Sequence, residues 1–265
     1  MRLEFMKNTD KYLGKAVCTC LYLCGRALSL FGRKKKPDTS KILLIKFWGI
    51  GNIVMLLPVL KAVREHYKGA EISFLTLSAN KDIIEHTPFV DKGYYLEISS
   101  LFSFLSSSAR AIRQLRKKRF AAVLDFDQFA RVAAIFSFMT GAPERIGFIT
   151  DGQGRDLMYT KVVPYNNEQH TVYTFADIAR AAGIAVGDLK PLPPLVSAEE
   201  KRKVSEYLRS IGVPGGRLLV GMHIGSGENF TMRRWPAENF AALADILAEK
   251  HGADVVFTGS ASERG

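Results

Sequence analysis

Residues 41–60, KILLIKFWGIGNIVMLLPVL, decide the fold: an apolar strand runs into a glycine-punctuated turn and then into an apolar helix. The run Ile42-Leu43-Leu44-Ile45 has no period-two alternation, as expected of a parallel strand buried on both faces. Gly49 and Gly51 then let the backbone turn sharply. Strand, Gly-rich turn and helix in that order make the ligand-facing end of an open α/β sheet, with the side chain of Asn52 facing the ligand.

Working outward, the same rhythm repeats. Strands are expected at 70–78, 94–98, 121–126 and 144–148, with helices at 80–86, 101–118, 129–139 and 171–182. The fourth strand ends in Asp125 and Asp127, carboxylates placed where parallel sheets bind ligands. The proline-rich run Leu189-Lys-Pro-Leu-Pro-Pro-Leu195 changes the texture of the chain and reads as a linker. Beyond it, Ser197-Ala-Glu-Glu200 is a capping box that opens a helix to about residue 211. Strands at 217–223 and 254–257 flank a Gly/Ser-containing loop and a helix at 236–251. The organisation is α/β throughout: an N-terminal segment at 1–40, a first domain at 41–188, a linker at 189–196 and the start of a second domain at 197–265. Two strands leave a parallel sheet with an open apolar edge, so the expectation is a fragment or a sheet completed by a partner.

Composition is that of an ordinary globular chain, with 47% hydrophobic and 24% charged residues, which excludes a disordered or fibrous protein. The formal charge is +11, but residues 1–41 hold ten Lys/Arg against three acids, or +7 of that excess. The remainder is too small to argue for a nucleic-acid-binding body, and no nucleic-acid partner is expected. Cys18, Cys20 and Cys24 share one short apolar stretch with no other cysteine to pair with, which argues against a disulfide framework. The five histidines are scattered without ligand spacing, so neither a metal site nor a cofactor is expected. Gly49-x-Gly51 falls short of a dinucleotide fingerprint, because Val54 stands where the third glycine belongs.

Residues 12–31 are apolar but interrupted by Lys15 and Arg26, too short an uncharged run to span a bilayer. Wound as a helix, Lys11, Lys15, Arg26 and Arg33 fall on one side, and the cluster Arg33-Lys34-Lys35-Lys36 follows. The expectation is an amphipathic helix on an anionic membrane surface, formed by residues 11–36, with Pro37-Asp38-Thr39-Ser40 as a hinge.

Four segments together resemble glycosyltransferase family 9, the bacterial heptosyltransferases. They are residues 42–60 with G-x-G-N-x-x-x-x-x-P; Leu124-Asp-Phe-Asp-Gln128 with Arg131; Gly141-Ala-Pro-Glu-Arg-Ile-Gly-Phe148; and Val220-Gly-Met-His-Ile-Gly-Ser226 with Arg233-Arg-Trp-Pro236. The resemblance implies the GT-B fold, two Rossmann-like domains facing a cleft, the second incomplete in this chain. It also implies inverting transfer of heptose from ADP-heptose to a lipopolysaccharide-type glycolipid, at the inner face of a bacterial inner membrane. Gly49, Gly51, Gln128, Arg131 and Arg145 would then serve the acceptor, and Gly225, Ser226, Arg233 and Arg234 the donor phosphates. Members of the family usually carry Gly-Asp at the opening turn, where the Asp looks like the base. Here the pair is Gly51-Asn52, and an amide cannot take the proton. Three expectations stand: Asp125 or Asp127 replaces the base, transfer proceeds by positioning alone, or the protein binds without catalysis.

Overall fold

The computed structural model describes residues 18–20, 23, 38–150, 153–213, 215–226 and 232–259. The chain divides into two compact units, 1–195 and 196–265.

The first unit is built on β1 (Asp38–Ile45), α1 (Ile50–His66), β2 (Glu71–Leu77), α2 (Lys81–Glu85), β3 (Lys92–Leu96) and α3 (Leu101–Lys118). It continues with β4 (Phe120–Asp125), α4 (Arg131–Met139), β5 (Glu144–Ile149), β6 (Lys161–Pro164) and α5 (Thr171–Ala181). Every strand pair is parallel, and the order is β3-β2-β1-β4-β5-β6. That order reverses direction between β1 and β4, the switch point where open α/β sheets form their ligand crevice.

The unbroken apolar run of β1 serves both faces of the sheet. Ile42 and Leu44 pack with Leu56, Leu60 and Val63 of α1 and with Phe175 and Ile178 of α5. Leu43 and Ile45 pack on the opposite face with Ala111 and Leu115 of α3 and with Phe136 of α4. Burying a Leu or Ile side chain contributes about 1.5–3 kcal/mol, so the four central residues of β1 together contribute about 6–12 kcal/mol of gross burial.

Two local differences from the sequence reading have simple causes. Asp38 pairs with Phe120 of β4, and its amide donates to the Arg119 carbonyl at 2.8 Å, so 38–40 extend β1 instead of forming a hinge. The expected strand list also missed β6, a four-residue edge strand ending in Pro164, too short to leave a periodic signal.

The second unit holds α6 (Ala198–Ser210), β7 (Leu219–His223), α7 (Ala237–His251) and β8 (Asp254–Thr258), with β7 and β8 parallel. The capping box at its start is formed: Ser197 Oγ accepts the Glu200 amide at 3.1 Å and the Glu200 carboxylate accepts the Ser197 amide at 2.7 Å. Leu243, Ile246 and Phe257 remain exposed.

Candidate active site

The opening turn is shaped by one backbone angle. Gly49 has φ +84°, a left-handed conformation that side chains resist, and it stands as the N-cap of α1 without any side-chain cap. A Cβ there would also lie 2.9 Å from Nδ2 of Asn52. Asn52 is half-buried against the glycine, and Gly51 is exposed.

Beneath this turn lies a buried cluster of four charges. Lys46 follows β1 directly, and its ammonium donates to Gln128 Oε1 at 2.8 Å and sits 3.8 Å from Asp127. Asp127 accepts the Phe47 amide at 2.9 Å and the Ala130 amide at 3.4 Å, so one carboxylate fastens the start of the turn to the loop after β4. Asp125 accepts the Asp127 amide at 2.9 Å and the Tyr159 hydroxyl at 2.5 Å. Arg155, only 1% exposed, completes the set: Nη2 lies 3.4 Å from Asp125, 2.8 Å from the Tyr159 hydroxyl and 2.5 Å from the Asp127 carbonyl. Its Nε and Nη1 are buried without a hydrogen-bond partner among the described residues.

Removal from water sets the direction for Asp125 and Lys46. Burial pushes the Asp125 carboxyl up to about 6 against the pull of Arg155. Burial also lowers the Lys46 ammonium, with Asp127 and Asp125 opposing it. For Arg155 burial works against the charge, but Tyr159, Asp125 and Asp127 outweigh it and hold the guanidinium protonated.

The structure brings Gly49, Gly51, Asn52, Asp125, Asp127 and Gln128 together at the carboxyl ends of β1 and β4. Both carboxylates are turned into the protein, 0% and 1% exposed, and their oxygens are committed to the turn and to Tyr159. Arg131 opens α4, largely buried, with Nε donating to the Gln153 carbonyl at 2.7 Å. Arg145 is not brought to this cluster. It lies near the start of β5, where it donates to the carbonyls of Met158, at 2.8 Å, and of Ala142.

That clamp leads to Tyr159. Arg145 holds Met158, and Gly147, two residues along the strand, leaves the space the Tyr159 ring fills: a Cβ at Gly147 would lie 2.2 Å from the ring. Lys46, Arg155 and Tyr159 were missed by sequence reading. A lysine flush against an apolar strand end was the available signal for Lys46; Arg155 and Tyr159 sit in a loop without one.

In the second unit Gly225 and Ser226 follow β7, and Arg234 Nε donates to Ser226 Oγ at 3.2 Å. Arg233 is exposed, and Trp235 meets Phe240 edge to face at 5.0 Å. His223, at the end of β7, pairs with Thr258 Oγ1 at 3.2 Å. His170 caps α5 and lines an apolar cavity of about 380 Å³ with Met55, Pro58, Tyr173 and Leu189. Among the described residues no group of His, Cys, Asp and Glu is arranged to hold a metal ion, and no helix is long and apolar enough to cross a membrane. The expected membrane helix at 11–36 lies almost wholly outside the described residues; of it, Cys18 is buried against Ala134, Met158 and Tyr159.

A parallel sheet in doubly wound order, with a glycine turn at its switch point and a second α/β unit after a linker, is an α/β architecture of the GT-B class. The sequence matches glycosyltransferase family 9 (heptosyltransferase) over residues 108–265, more than half of its length, and the chain belongs to that family. Among solved structures it is similar to a family 9 glycosyltransferase of Veillonella parvula, at 20% identity and TM-score 0.74, covering 87% of this chain and 65% of that one. It is also similar to the ADP-heptose lipopolysaccharide heptosyltransferase II of E. coli, at 22% identity and TM-score 0.61, covering 84% and 65%. A third is the E. coli heptosyltransferase WaaC solved with ADP, at 16% identity and TM-score 0.61, covering 83% and 67%. The chain thus spans about two thirds of the length of these relatives. No functionally curated protein sequence matches it.

Proposed function

We propose that the protein transfers a sugar, with heptose as the expected group, from a nucleotide-diphosphate donor such as ADP-heptose to a lipopolysaccharide-type glycolipid at the inner face of the inner membrane. In this reading the acceptor hydroxyl attacks the anomeric carbon with inversion, the bond to the diphosphate oxygen breaks, and the nucleotide diphosphate leaves with the negative charge. No metal or cofactor takes part. Family membership supports the reaction class. The observation that carries the site assignment is the buried lock, in which Asp127 and Lys46 hold the amide and side-chain framework of the turn bearing Asn52.

The burial of both aspartates favours a transfer that relies on positioning over one with a replacement base. Asn52 offers an oxygen and two N–H donors to orient the acceptor hydroxyl and no proton affinity near neutral pH. Gly225, Ser226, Arg233 and Arg234 would receive the diphosphate, Arg233 standing where the family carries a phosphate-contacting Lys, and their amide and guanidinium donors suit an anionic leaving group. Catalysis without a general base forgoes a contribution of about 10²–10⁴-fold.

The test compares the natural full-length protein with Asn52→Asp in sugar transfer. The expected result is measurable slow transfer by the natural chain and a rise of about 10²-fold or more in kcat for the variant. High activity unchanged by the substitution would remove Asn52 from the chemistry. Absence of transfer by both, with donor still bound, would leave the second reading: a glycolipid or nucleotide-sugar binding module, favoured by the lack of an exposed carboxylate at positions 52, 125 and 127.

A further inference from the structure

The outer surface of α3 has a division that packing does not explain. Residues recurring on its exposed side are Phe102, Leu105, Ala109, Arg113 and Arg116, spaced as one face of a helix, while Ser107, Ala111 and Leu115 point into the core. The N-terminal half of that outer face is mostly apolar: Leu101 is 53%, Phe102 81% and Leu105 57% exposed, and the one exposed polar side chain among them, Ser106, donates its hydroxyl to the Ser103 carbonyl at 3.2 Å. The C-terminal half is cationic, with Arg110, Arg113, Arg116 and Lys117 all exposed and no acid anywhere in the helix. Phe102 and Arg113 are separated by about 16 Å along the axis at the usual helical rise. Lys118 is committed to Glu71 at 2.6 Å and does not share in this surface.

Part of the hydrogen bonding at the apolar tip is met within the chain. Ser100 Oγ accepts the Ser103 amide at 3.1 Å and Ser103 Oγ accepts the Ser100 amide at 2.9 Å, so the first turn does not depend on water for these donors. Because α3 follows β3 of a parallel sheet, this tip stands at the same carboxyl-end rim as the Gly49–Asn52 turn, where Ile50 is likewise exposed. A contiguous phenylalanine and two leucines beside an acid-free cationic stretch match the acyl boundary and the headgroups of an anionic bilayer.

We infer that α3 is a membrane-docking helix that seats Leu101, Phe102 and Leu105 in the outer part of an anionic lipid leaflet, with Arg110, Arg113, Arg116 and Lys117 on the headgroups. Docking in this pose puts the rim that carries the opening turn at the lipid surface. A glycolipid acceptor would there need to rise only partly from the bilayer to reach Asn52. Docking itself rests on the placement of α3 alone, and the acceptor's route rests on the proposed transfer reaction.

The test is flotation of the full chain with vesicles of phosphatidylcholine alone or with phosphatidylglycerol added, neither of which contains the proposed acceptor. The natural chain should partition to the anionic vesicles and be released by salt. Phe102→Ser with Leu105→Ser, and separately Arg113→Gln with Arg116→Gln, should each weaken partition about tenfold or more while changing the thermal midpoint little, because all four side chains are exposed and the neutral glutamines place no acid at the C-terminal end of the helix dipole. Phe102→Trp should shift its emission to the blue on anionic vesicles and be quenched by brominated acyl chains. Equal partition of parent and variants would overturn the inference and assign binding to residues 11–36. Failure of the natural chain to bind anionic vesicles would overturn it outright. A failure of sugar transfer with docking intact would strike only the proposed reaction.

Discussion

Gly147→Ala tests the claim that a glycine of β5 exists to seat Tyr159 under the opening turn. The added Cβ would lie 2.2 Å from Cζ and 2.4 and 2.8 Å from the flanking ring carbons. Carbon atoms rest at about 3.5–4.0 Å, so the ring must move by about 1.3 Å or more. Its hydroxyl sits 2.5 Å from Asp125 and 2.8 Å from Arg155, and such a shift takes it out of hydrogen-bond range of one or both. Overpacking costs about 1–3 kcal/mol and the lost bond to charged groups about 1.5–3 kcal/mol, giving a destabilisation of about 3–5 kcal/mol. Urea unfolding followed by tryptophan emission in a Trp235→Phe background, which leaves Trp48 of the opening turn as the reporter, reads the cost in the first unit. Tyr159→Ala removes the clashing ring, so the double variant should cost about as much as Tyr159→Ala alone, and less than the sum of the singles. A single variant within about 0.5 kcal/mol of the parent, or a double variant with simply additive costs, would refute the assignment.

Gly49→Ala should destabilise the chain by about 1–2 kcal/mol through its left-handed backbone, and by pressing on Asn52 it should lower kcat of transfer more than it raises KM. Asp125 gives a pH signature with a definite sign. Its carboxyl titrates at about 6 folded against an ordinary 3.8, so its contribution to stability is fully present below pH 3.8 and is lost as pH rises through 6, by about 3 kcal/mol. Unfolding measured at pH 4.5 and 7.5 should therefore show Asp125→Asn closing on, or passing, the parent at the higher pH. A difference between the two proteins that does not change with pH would contradict the burial argument.

The sheet was legible because its evidence is local and repeated: apolar runs of strand length, glycine turns and helices of ordinary length in alternation. β6 was not, since a short edge strand closed by Pro164 has neither period nor burial to announce it. At the site, Asn52, Asp125 and Asp127 could be placed at strand ends from their spacing, but their roles could not. Whether a carboxylate faces solvent or the interior depends on Arg155 and Tyr159, about 30 residues further on and beyond the next strand. Arg145 shows the same limit in reverse. A cation in a motif invites a ligand, yet its guanidinium is spent on two backbone carbonyls near the opposite end of its strand.

The buried lock also determines how cleanly Asn52 can be questioned. The framework of the turn is held by Asp127, Lys46 and the backbone of Gly49, none of which depends on the Asn52 side chain. Asp is the same size, and α1 has no acidic residue in its first turn, so a carboxylate at position 52 would meet the positive end of the helix dipole. Asn52→Asp should therefore be neutral or stabilising by about 0.3–1 kcal/mol, read as an unchanged or raised urea midpoint. The same dipole favours the ionised form, keeping the new carboxylate in the state a general base requires. If the variant is as stable as the parent and transfers faster, the gain belongs to proton removal. Should it unfold more easily, the Asn52 amide has a structural partner in the turn, and a rate change could no longer be assigned to the base.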